Sequence, residues 1–154
     1  MSYLTHLELL KAFGEPNLER GMVLWDVPTE LEIGVIPKKV YCNKTMVKPS
    51  EKAFSNLITT GYVKELKTFD GCFNIRNIRG RTTPSLHSFG AAMDFNAAWN
   101  QLGKPSAFSA GFVKCFTDAG FNWGGNFKSR LDCQHFELSL ETFLSEMERL
   151  RTHK

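Results

Sequence analysis

Apolar positions fall into blocks of two different periods along the chain. Leu7, Leu9, Leu10 and Phe13 lie within and behind a T-x-x-E capping box, Thr5 to Glu8, and stop at Gly14, which predicts a short N-terminal helix. Ala53, Phe54, Leu57 and Ile58 form one apolar face between Pro49, suited to a first turn, and Gly61. A third helix is expected from Pro105 to Ala119 on the face of Phe108, Phe112, Cys115, Phe116 and Ala119, with Gly120 as its stop. Leu140, Phe143, Leu144, Met147 and Leu150 recur at 3.6 spacing behind Ser139, an N-cap residue, and predict a fourth. Between these helices the pattern changes. Lys39 to Asn43, a segment marked by Cys72, Phe73, Ile75 and Ile78, Ala91 to Asn96, and Gln134 to Leu138 read as strands. Trp25 to Lys39, with Pro28, Gly34 and Pro37, reads as irregular chain or short edge strands, Gly80 to Pro84 as a loop, and Trp123-Gly124-Gly125 as a turn. Helices at the ends and strands between them predict an α+β fold. No repeat, low-complexity tract or long linker divides the chain, so residues 1–154 are expected to form a single domain.

Composition narrows the function classes. A 42% hydrophobic and 23% charged chain is not disordered or collagen-like. The formal net charge of +3 is too small to argue for nucleic acid, and the aromatics sit at core spacing without interleaved Lys and Arg, so no nucleic-acid partner is expected. No apolar run reaches the roughly 18 residues of a membrane span, so no membrane insertion is expected. The start, MSYLTHLELLKAF, lacks a basic n-region, an h-region and a small-residue cleavage site, so no signal peptide and a cytoplasmic product are expected. Cys42, Cys72, Cys115 and Cys133 are scattered and contain no CxxC, which suits free, buried thiols.

Two segments carry more polar chemistry than a core strand should. In Ser85-Leu86-His87-Ser88-Phe89-Gly90-Ala91-Ala92-Met93-Asp94, a carboxylate sits within an apolar run, which is costly unless it is paired or binds a metal. In Asp132-Cys133-Gln134-His135-Phe136-Glu137, polar groups again alternate into a strand-like stretch. His87, Asp94 and His135 make a workable zinc triad, two neutral imidazoles and a carboxylate with a fourth position for water, whose pKa such a site lowers towards about 7. Asp94 has a second reading, as the ion-pair partner of Arg76, Arg79 or Arg81. His6 and His153, on a terminal helix and tail, are assigned no site role.

The pattern S-x-H-x-x-G-x-A-x-D, followed about forty residues later by D-x-x-H-F, resembles the zinc D-Ala-D-Ala carboxypeptidase and L-alanyl-D-glutamate peptidase family of bacteria and phages. The likeness extends through Phe73-Asn74-Ile75-Arg76-Asn77-Ile78-Arg79-Gly80, Gly120-Phe121-Asn122-Trp123-Gly124-Gly125 and Phe13-Gly14-Glu15-Pro16. It implies the fold shared with lysostaphin-type peptidases and the Hedgehog signalling domain, a small antiparallel sheet carrying zinc and flanked by helices. Carried over by position, His87, Asp94 and His135 are the Zn2+ ligands and Asp132 the general base. Arg76 matches an arginine expected to stabilise the oxyanion or clamp a substrate carboxylate, and Ser85 a serine that hydrogen-bonds substrate or orients His87. Trp123 is expected to wall the cleft. On a straight strand positions 132 and 135 face opposite sides, so Asp132 must lie in the turn entering the strand or beyond a bulge. Glu137, on the same side as His135, is the alternative base.

The resemblance implies a monomeric zinc metallopeptidase acting on the peptidoglycan stem peptide. The expected form is a phage endolysin of L-Ala–D-Glu endopeptidase type, held in the host cytoplasm until lysis. A D-Ala-D-Ala carboxypeptidase or dipeptidase, and a zinc-bearing binding module without catalysis, are the alternatives.

Overall fold

The computed structural model describes residues 1–153. Its strands form two antiparallel sheets. In the smaller, β1 (Met22–Asp26) pairs with β2 (Lys39–Asn43). The larger runs in the order β3 (Phe69–Gly71), β4 (Ala92–Phe95), β6 (His135–Leu138) and β5 (Phe121–Trp123). Four α-helices accompany them: α1 (His6–Phe13), α2 (Val47–Thr60), α3 (Ala110–Thr117) and α4 (Leu140–Thr152). The fold is α+β with small antiparallel sheets, as expected.

Local chemistry accounts for most of the boundaries. The Glu8 carboxylate accepts the Thr5 backbone N–H at 3.0 Å, closing the capping box at the start of α1. The Ser139 hydroxyl accepts from the Thr142 N–H at 3.2 Å and caps α4. Gly61, at φ +83°, ends α2 in the left-handed region that glycine occupies without steric cost.

Three expectations shift. The strand sought at Cys72–Ile78 lies upstream, at Phe69–Gly71, where Phe69 pairs with Phe95 and Gly71 with Asp94. Ile75 and Ile78 are exposed on a loop held by the Asn77–Pro84 bridge, so their apolar spacing marked a surface segment. Helix α3 begins at Ala110, where Ser109 accepts from the Phe112 N–H, and the chain from Pro105 to this cap is irregular. Strand β5 ends at Trp123, where the sequence predicts only a turn, and the glycines of that turn follow it directly.

Alternation along β6 divides its two sides. Phe136 and Leu138 face the core, where the Phe116 ring stacks on Phe136 with centroids 4.3 Å apart and Phe54 meets Phe95 edge-on at 6.2 Å. His135 and Glu137 take the opposite side. The register sets Asp94 across from His135, so the carboxylate shares that side although its strand is otherwise apolar. One contiguous core cluster then runs from Leu4 to Phe143.

All four cysteines are free and buried. Burial pushes the Cys42 thiol up to about 12 and the Cys72 thiol well above its ordinary value. Iodoacetamide at pH 8 is therefore expected to modify less than one thiol per folded chain in the time that the denatured chain yields all four, as counted by intact mass.

Candidate metal centre

Two backbone devices deliver the first histidine. Ser85 accepts the His87 N–H at 3.2 Å and caps a single 3-10 turn, Leu86–Phe89. Gly90 ends that turn at φ +67°, with its carbonyl on the Asn43 N–H; a Cβ there would lie 2.7 Å from that nitrogen. Glycine at this motif position thus answers both a left-handed backbone and a close chain approach. The His87 Nδ1–H donates to the Cys72 carbonyl at 2.7 Å, which leaves Nε2 as the free ring nitrogen.

The second histidine is oriented the opposite way round. His135 Nε2 lies 2.7 Å from Glu137 Oε1 and donates to it, so Nδ1 points inward. His87 Nε2 and His135 Nδ1 are 3.2 Å apart, and Asp94 Oδ1 is 3.2 Å from the first and 3.3 Å from the second. Both rings are buried, and these three donor atoms form a candidate metal-binding group.

Two neutral ring nitrogens and a carboxylate oxygen cannot converge so closely unless positive charge sits among them. Their spacing is about the edge of a tetrahedron with metal–ligand bonds of roughly 2.0–2.1 Å. Electrostatics say the same of the metal-free protein. Burial works to lower the pKa of His135, but its bonds to Asp94 and Glu137 and their charges outweigh it and raise the pKa to about 10. Burial works to raise that of Asp94, but His135 and His87 hold its carboxyl well below the usual carboxylate range. A proton or a metal ion satisfies this site, and its imidazole–carboxylate donors fit a divalent metal of the zinc class.

Asp132 lies in the turn entering β6. Its carbonyl accepts the His135 N–H at 3.0 Å, and its carboxylate oxygen Oδ2 stands 3.9 Å from His135 Nδ1 with its side chain 25% exposed. Burial, ahead of the neighbouring charges, raises its pKa above the ordinary aspartate value. Gly124 accepts the Asp132 N–H at 3.0 Å and packs so closely that a Cβ would overlap the Asp132 carbonyl.

A cleft of about 1170 Å³ opens over this side of the sheet, and Arg76, Ser85, Asp94, Asp132 and His135 all line it. Arg76 is exposed on the loop before His87, with its backbone N–H and carbonyl both bonded to the Ser88 hydroxyl. Trp123 lies elsewhere. The register pairs it with Phe136 on the core side, and its indole N–H donates to the Cys133 carbonyl at 2.8 Å, tying β5 to the Asp132 turn. His6, assigned no site role from sequence, lines the cleft together with Tyr3, and Phe127 bridges towards the centre. Its ring lies 5.8 Å from Tyr3 and 5.7 Å from His135. The Cys72 carbonyl was invisible in the sequence, because a backbone acceptor carries no residue signal. Glu137 was visible, and its bond to His135 gives it a positioning geometry.

Residues 79–138 match the family model described as D-alanyl-D-alanine carboxypeptidase. The matched segment holds His87, Asp94, Asp132 and His135 and covers less than half of the chain. No curated protein and no solved structure matches the chain. Together with the donor triad, the match supports a metal-dependent peptidase of the D-alanyl-D-alanine carboxypeptidase kind. Among the described residues, no helix is long and apolar enough to cross a membrane.

Proposed function

We propose that the chain is a zinc-dependent peptidoglycan peptidase that cuts the stem peptide, of L-Ala–D-Glu endopeptidase type, and serves as a phage endolysin. The observation that carries this reading is the convergence of His87, Asp94 and His135 beside the Asp132 carboxylate in one cleft. Zinc held by the triad would polarise the scissile carbonyl and make a water nucleophilic near neutral pH.

The chain's own groups do the rest. Asp132, its pKa raised and its carboxylate partly open to the cleft, takes the proton of the attacking water and returns it to the leaving amine. Glu137 holds the His135 ring through Nε2 and moves no proton of the reaction. Arg76 offers a guanidinium to the developing oxyanion or a substrate carboxylate. Ser85 orients His87 through the turn and presents its hydroxyl to substrate. Trp123 acts on the substrate only indirectly, by anchoring the Asp132 turn. In this reading the enzyme acts as a monomer and waits in the host cytoplasm until the membrane opens.

Mass spectrometry of purified peptidoglycan, digested with zinc-loaded protein beside a chelated control, tests the proposal. New amino termini at D-Glu, absent from the control, are expected. Release of free D-Ala alone would favour the carboxypeptidase reading, which the description of the matched family supports. Formation of neither product would leave a binding module.

The glycine beneath the base gives a separate test. Gly124→Ala must displace the Asp132 backbone. It is expected to lower kcat by about tenfold or more, since misplacing a catalytic group by about 1 Å can cost as much as 10²-fold. Zinc affinity, read by competition with a chromophoric chelator, should change less than threefold.

A further inference from the structure

We propose that the cleft selects a peptide bearing at least two free carboxylates, recognised by Arg79 and Arg81 on one loop and Lys128 and Arg130 on another. The inference deepens the peptidase reading and rests on it. All four cations are exposed and line the cleft that holds the donor triad, although about fifty residues of sequence separate the two loops. None of them enters an ion pair among the described residues. The Lys and Arg pairs that do form, such as Lys39–Asp26, Lys114–Asp118 and Arg149–Glu146, involve no residue that lines the cleft.

The three carboxylates that line the cleft, Asp94, Asp132 and Glu137, form no ion pair with these cations. Asp94 faces both imidazoles, Glu137 accepts from His135, and Asp132 stands 3.9 Å from His135. With Arg76, five cationic side chains therefore line one concave surface against three carboxylates, all three grouped around the histidines. Such a surface concentrates anions, and arginine forks pair with carboxylates in bidentate geometry. Two loops can each engage one carboxylate, hence at least two. Tyr3 and Ile78, 50% and 39% exposed, line the same cleft and give apolar contact beside the charges. That mixture suits a peptide better than a bare polyanion.

The test uses fluorescent peptides of one sequence, with carboxylates either free or amidated, and full-length Asp132→Asn protein so that binding is read without turnover. The free-acid peptide is expected to bind at least tenfold more tightly at low salt, with the advantage shrinking as salt rises. Adding Arg79→Gln and Arg130→Gln should weaken the free-acid peptide at least fivefold and leave the amidated one unchanged. Lys38→Gln with Lys52→Gln removes equal charge from surface positions that do not line the cleft and should change neither. In the zinc-loaded native enzyme, amidation should raise KM and leave kcat within twofold. Equal binding of the two peptides, or equal weakening of both by either pair of substitutions, overturns the proposal. Cleavage of both peptides with no preference would do the same while sparing the peptidase reading. A binding preference with no cleavage would instead refute the peptidase reading and leave the charge preference standing.

Discussion

Asp132→Asn is expected to lower kcat by about 10²–10⁴-fold, the range that general base catalysis contributes. Asparagine keeps the size and the turn, and the Asp132 N–H and carbonyl that bond Gly124 and His135 are backbone groups that the substitution leaves in place. Fold and zinc content, followed by circular dichroism and atomic absorption, should match the native protein. The partner experiment is Glu137→Gln. Glutamine still presents an oxygen to the His135 Nε2–H, so the ring stays oriented and the loss should stay below about tenfold, at the low end for groups that orient a metal ligand. The two carboxylates are thus separated by geometry. Asp132 Oδ2 faces the inward nitrogen of His135, whereas Glu137 holds the outward one. An inactive Glu137→Gln beside an active Asp132→Asn would reverse these roles.

Much of this geometry was legible from residue spacing because it depends on strand periodicity. An aspartate inside Ala91-Ala92-Met93-Asp94-Phe95 can avoid the core only by facing the other side of its strand, and the register places His135 directly across from it. The conflict between positions 132 and 135 likewise demanded a turn, and a turn is what lies there. What escaped was set by contacts remote in sequence. Phe69-Asp70-Gly71 is too short and too polar to announce a strand, and it becomes one because β4 offers an edge. Trp123 reads as a cleft aromatic until pairing with Phe136 assigns it to the core side. Tyr3 and His6 reach the cleft because the N-terminus is tied down far along the chain. The Ser2 carbonyl accepts the Leu140 N–H at 2.9 Å, and the Ser2 N–H donates to the Glu141 carboxylate. No local pattern encodes a contact across more than 130 residues.

His135→Ala is expected to abolish both zinc binding and turnover and, unlike His87→Ala, to destabilise the metal-free fold markedly. The difference lies in what each histidine leaves behind. Either loss takes one imidazole from Asp94, but without His87 the acceptor orphaned on the outer side is the Cys72 carbonyl, which is neutral. Without His135, the buried Glu137 carboxylate loses its hydrogen-bond donor. Removing one member of a buried charged pair costs about 3–5 kcal/mol. For a chain of this size that corresponds to a fall in Tm of roughly 10 °C, whereas His87→Ala should fall by less than half as much. Adding Glu137→Leu to His135→Ala removes the stranded charge and should recover most of the lost stability without restoring zinc binding. Thermal unfolding in the presence of chelator reads the first effect and isothermal titration with zinc reads the second. Recovery of both together would mean that Glu137 opposes the metal, whereas recovery of stability alone assigns it to holding the His135 ring in place.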